Sequence, residues 1–96
     1  MNGDDNSMTA FNKDLGAMLR TMRLAKNATQ ESVAKLLGVT RSAYSYYESG
    51  KTSPDLHDLR VLAEFFGISP SDFFYPELYA DPKDSGRRVQ KSKPLN

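Results

Sequence analysis

Cysteine is absent from this 96-residue sequence, which excludes a disulfide framework and a thiolate metal site. No apolar run approaches the roughly 20 residues of a membrane span. Residues 1–9 hold Asp4 and Asp5 but neither the basic nor the apolar region of a signal peptide. A soluble cytoplasmic chain is the expectation. There is one histidine, His57, beside Asp58, with no second ligand or nucleophile spaced to join it. It reads as a solvated helix residue. Asp55 and Asp58 suit the positive end of a helix dipole and need no catalytic role. A glycine-rich phosphate loop is missing. Neither an enzyme nor a cofactor or metal site is expected.

Charge of one sign is also scarce, with a net charge of +1. Its distribution is uneven. Residues 10–80 carry eight basic and eight acidic side chains, so that segment is neutral. The stretch from Asp81 to Asn96 carries Lys83, Arg87, Arg88, Lys91 and Lys93 against Asp81 and Asp84. It has few apolar residues and cannot bury enough to offset ordering entropy. Three parts follow: a polar, disordered tail at 1–9, a folded domain at 10–80, and a basic, disordered tail at 81–96. A domain of this size buries only roughly 60–65% of its unfolded surface.

Between the tails the apolar spacing is helical throughout. Helix 1 is expected from about Phe11 to Lys26, with Phe11, Leu15, Met18, Leu19 and Met22 in one stripe. Asn27, which tolerates the left-handed conformation, ends it. Helix 2 opens at Thr29 as N-cap and runs from Gln30 to Leu37, stopped by Gly38. Helix 3 is capped by Thr40 and runs from Arg41 to about Glu48. Helix 4 covers about Asp55 to Phe66, with Leu56, Leu59, Leu62, Ala63 and Phe66 inward. Ser69-Pro70-Ser71-Asp72 has the form of a helix start and opens a short helix 5 through Phe73 and Phe74. The fold class is all-α with five helices.

Two short helices joined by a few residues containing Gly38 are the sequence form of a helix-turn-helix. At about 100° per residue, Tyr44, Tyr47 and Glu48 fall on one side of helix 3. Arg41, Ser42, Ser45 and Tyr46 fall on the other. That second set has no core to fill. It is either an ordinary solvated face or a set of donors and acceptors for base edges in a major groove.

The segments LGAMLRTMR, TQESVAKLLGV, TRSAYSYYESGKTSPDL and LRVLAEFFGISPSDFF, between Leu15 and Phe74, settle that choice by resemblance. Together they resemble the Cro/repressor, or Xre-type, helix-turn-helix family, whose domain has the lambda-repressor-like fold of five helices. The resemblance implies double-stranded DNA as partner and a bacterial or phage setting. It implies base contacts from Arg41, Ser42, Ser45 and Tyr46. It implies phosphate contacts from Thr29 and Gln30 at the start of helix 2, from Thr40, and from Gly50, Lys51 and Thr52 after helix 3. Arg23 and Glu48 match a pair that forms an internal salt bridge in similar proteins; the plainer alternative is a solvated Glu48. Tyr46 departs from the charged or amide residue often found at its position, which puts its base-reading role in doubt.

Phe65, Phe73, Phe74, Tyr75 and Leu78 exceed what a small core holds. They are assigned to a two-fold homodimer contact; the alternative is that Phe73 and Leu78 complete the monomer core. The function expected is a dimeric repressor on a palindromic operator. The competing reading is an antitoxin or phage-type regulator whose aromatic segment or tail captures a protein partner.

Overall fold

The computed structural model describes residues 3–81 and 83. Four α-helices, α1 (Gly3–Ala25), α2 (Gln30–Leu37), α3 (Arg41–Ser49) and α4 (Leu56–Phe66), are followed by two 3-10 helices, Pro70–Phe74 and Pro76–Leu78. There is no strand among the described residues.

The helix ends follow local chemistry. The Thr29 hydroxyl oxygen accepts from the Ser32 N–H at 3.0 Å, and the Ser32 hydroxyl accepts from the Thr29 N–H at 3.2 Å, closing a capping box on α2. The Thr40 hydroxyl oxygen accepts from the Ala43 N–H at 3.0 Å and starts α3. The Asp55 carboxylate accepts from the Asp58 N–H at 2.8 Å and starts α4. Asn27 has φ 57° and turns the chain out of α1.

Four differences from the expected elements have identifiable causes. The α1 backbone is helical from Gly3, well before Phe11 and through most of the expected 1–9 tail. The Phe11 ring is consequently mid-helix, and it is exposed. The fifth helix is a pair of 3-10 turns. Tyr75 precedes Pro76, which disfavours the α conformation there, and its backbone sits at φ −128°, ψ 59°. Leu56, placed inward by spacing, is 80% exposed. Asp58 takes the inward position instead, and Leu56 lies about 200° around the helix from it. The Asp81 N–H donates to the Thr21 hydroxyl at 2.9 Å, so the chain is still tied to α1 where the basic tail was expected to begin. The rest of that tail, apart from Lys83, lies outside the described residues.

The core gathers Leu15, Met18 and Leu19 of α1, Val33 and Ala34 of α2, Tyr44 of α3, Leu62 and Ala63 of α4, and Phe73. Gly16 sets the crossing of α1 over α3. A Cβ there would stand 2.6 Å from the Tyr47 carbonyl oxygen and closer still to that of Glu48. Glycine in a helix interior is unfavourable by about 1 kcal/mol relative to alanine. Here it lets the end of α3 lie directly on the α1 backbone. No described helix is long and apolar enough to cross a membrane.

Candidate nucleic-acid interface

The inner side of α3 is held by polar contacts as well as by packing. The Arg23 guanidinium donates to both Glu48 carboxylate oxygens, from Nε at 2.6 Å and from Nη2 at 3.1 Å. Its Nη1 donates to the Ala28 carbonyl at 2.8 Å. The Gln30 side-chain amide donates to Glu48 Oε1 at 3.0 Å. Arg23 and Glu48 are both buried. One carboxylate thus joins α1, the start of α2 and the end of α3. The hydrogen bond to Glu48 holds the Arg23 guanidinium above its ordinary pKa, against the opposing effect of burial.

Tyr44 is completely buried beside this pair and meets Tyr47 edge to face at 6.0 Å. Its hydroxyl has no hydrogen-bond partner among the described residues. Burial first, then the Glu48 charge, push its pKa up. The Tyr47 hydroxyl donates to the buried Asp58 carboxylate at 3.0 Å and ties α3 to α4. The ligand-type atoms of Asp55, His57 and Asp58 lie within 4.8 Å of one another. Asp55 caps α4 and Asp58 accepts from Tyr47, so both carboxylates have structural partners.

The outer side of α3 has a different character. Arg41, Ser42 and Tyr46 are exposed, and Ser45 is half-buried. Lys51 and Thr52 are exposed in the loop that follows. Thr29 and Thr40 are exposed at the starts of α2 and α3, with their oxygens engaged as caps. Gln30 is half-buried, and its amide is committed to Glu48.

Gly50 has φ 82°, the left-handed conformation, and sits against α1: a Cβ would stand 2.8 Å from Lys13 Cα. Its missing side chain therefore serves the contact between the loop and α1.

A surface groove of about 660 Å³ runs between the end of α1 and the starts of α2 and α3. Thr29, Gln30 and Arg41 line it together with Arg20 and Arg23. Arg20 was missed by sequence reasoning, which attended to the apolar stripe of helix 1. The available signal was its position three residues before Arg23, which places both on neighbouring rows of one helix face.

The proposed dimer residues separate. Phe73 is 1% exposed and belongs to the monomer core, which removes it from any contact surface. Phe73 lies in the first 3-10 turn and Pro76 opens the second, on either side of Tyr75, and both are buried. Phe65 is half-buried against the core, with the Lys26 ammonium 5.3 Å from its ring centre. Phe74, Tyr75 and Leu78 are 64%, 58% and 73% exposed.

The profile of the Helix-turn-helix family matches residues 19–73. The SPbeta prophage-derived HTH-type transcriptional regulator YonR of Bacillus subtilis is 38% identical over 65 residues, covering 68% of this chain and 59% of that protein. The HTH-type transcriptional activator BcrR of Enterococcus faecalis is 41% identical over 51 residues, covering 53% and 25%. The cryptic phage CTXphi transcriptional repressor RstR of Vibrio cholerae is 38% identical over 75 residues, covering 78% and 63%. The chain thus spans less than two thirds of the length of each of these relatives.

Proposed function

The chain belongs to the Xre-type helix-turn-helix family, and we propose that it is a sequence-specific double-stranded DNA-binding regulator, a repressor that binds a palindromic operator as a homodimer. One observation carries this reading: the two sides of α3 are built for different jobs. The inner side is fixed by Arg23, Gln30 and Glu48. The outer side presents Arg41, Ser42 and Tyr46 to solvent. A helix held this way enters a major groove and reads base edges there. Arg41 suits guanine, whose two acceptors match a guanidinium. The exposed start of α2, with Thr29, Gln30 and the flanking Arg20 and Arg41, suits a phosphate. Lys51 and Thr52 suit the backbone beyond α3.

The homodimer rests on exposed Phe74, Tyr75 and Leu78, an apolar surface of the kind that a partner covers. A neutral domain neutralises few phosphates, so a single copy binds weakly and two linked half-sites are needed. Repression requires only that the bound protein occlude a promoter, and the relative RstR is named a repressor. The same exposed patch favours the second reading, a regulator that captures a protein partner.

Binding to a duplex pool over a salt series tests the proposal. Binding at low salt with a slope shallower than that of strongly basic DNA-binding domains is expected, at about −0.9 per neutralised phosphate. No binding to any duplex at low salt would overturn it.

A further inference from the structure

Tyr46 is the residue on the outer side of α3 that departs most from a base reader, and the geometry around it gives it another task. The Lys51 ammonium lies 4.8 Å from the Tyr46 ring centre, a cation–π contact. The backbone joins the same two residues. The Lys51 and Thr52 N–H groups both donate to the Tyr46 carbonyl, at 3.0 Å and 3.3 Å. The Ser49 hydroxyl donates to that carbonyl as well, at 3.2 Å. The loop after α3 is therefore anchored on Tyr46 by its main chain, and its one cation is seated on the Tyr46 ring. We propose that Tyr46 is a positioning residue: its ring holds Lys51 ready for a DNA phosphate, and it reads no base.

A lysine on a loop has several rotatable bonds, and ordering it on binding opposes affinity. A ring face that holds the ammonium beforehand removes part of that opposition. The ring does not neutralise the charge, so the outward N–H groups still serve an oxygen. One face of the ring is then occupied by Lys51 and is not open for stacking on a base. The contribution should be independent of sequence, because phosphate contacts fix register without reading bases. This assignment rests on the DNA-binding reading above.

The test combines Tyr46→Phe, Tyr46→Leu, Lys51→Ala and the Tyr46→Leu/Lys51→Ala double variant, each checked for an unchanged melting transition. Tyr46→Phe keeps the ring and should keep both affinity and sequence preference. Tyr46→Leu removes the ring and should weaken binding about two- to fivefold on every duplex alike. Lys51→Ala should flatten the salt slope by about 0.9. In the Lys51→Ala background Tyr46→Leu should have no further effect. In the free protein, NMR should show the Lys51 side-chain methylene protons shifted by the ring in the parent and in Tyr46→Phe, and unshifted in Tyr46→Leu. A changed base preference in Tyr46→Phe would overturn the assignment, as would equal losses from Tyr46→Leu with and without Lys51. So would unshifted Lys51 protons in the parent. A parent that binds no duplex would instead overturn the DNA-binding reading, and this assignment with it.

Discussion

The two ends of this small domain handle their unusual residues in opposite ways. At the end formed by α2 and α3, charged groups are buried and paired, and the polar outer side of α3 is left open. At the end formed by α4 and the 3-10 turns, Phe73 and Pro76 are buried while Phe74, Tyr75 and Leu78 stand in solvent. A buried ion pair is a poor source of net stability, because desolvation offsets most of its attraction. It does fix one geometry, since every alternative leaves a charge unpaired. An exposed apolar patch fixes nothing within the monomer and gains only when something covers it. The first end presents a surface held rigid from within, and the second leaves apolar side chains in solvent, where the proposed homodimer would cover them.

The largest effect should come from breaking the first end. Glu48→Gln removes the charge that Arg23 faces and should destabilise the domain by about 3 kcal/mol or more. Melting transitions of variant and parent would show it; a melting point within a degree of the parent would remove the structural role of the pair. A smaller effect should come from the core residue beside it. The Tyr44 hydroxyl is buried beside the Arg23–Glu48 pair, so Tyr44→Phe should change stability by no more than about 1.5 kcal/mol. The same residue gives a pH dependence with a definite sign. Its folded pKa is raised above the ordinary 10.0. The unfolded chain therefore loses this proton first as pH rises, and stability that is complete below pH 10 falls above it. Urea titrations across that range should show the fall in the parent and a smaller one in Tyr44→Phe.

Breaking the second end should change association and leave the fold alone. Replacing Tyr75 and Leu78 by serine should leave the melting of dilute protein within about 0.5 kcal/mol of the parent, since both side chains are exposed. Sedimentation should show loss of the dimer. A parent that remains monomeric at micromolar concentration, with and without DNA, would contradict the dimer itself.

The same contrast explains what could be read in the sequence. The α2 and α3 end was legible because its signals are local: caps at Thr29 and Thr40, Gly38 in the turn, and helical spacing that separates Tyr44 from Tyr46. The Arg23–Glu48 contact came from resemblance, since no local pattern joins residues 25 apart in the chain. What escaped depends on how backbones cross. Gly16 and Gly50 look like ordinary glycines until α3 and its loop are laid on α1. Leu56 satisfied the spacing of an inward residue, but Asp58 turned inward to meet Tyr47 and carried Leu56 out. Phe73 and Phe74 are adjacent and equally apolar. Which of them is buried is set by how the 3-10 turns, opened at Pro70 and Pro76, lie on the core.

The central claim is that the open side of α3 reads DNA, with Arg41 as its main reader. Selection of bound duplexes from a random pool, by the parent and by Arg41→Ala, tests it most directly. The parent should recover a palindrome with half-sites about one helical turn apart, and the variant should lose a guanine preference worth about 1–3 kcal/mol per site. A pool that shows no enrichment, or an enriched sequence unchanged by Arg41→Ala, would contradict the account.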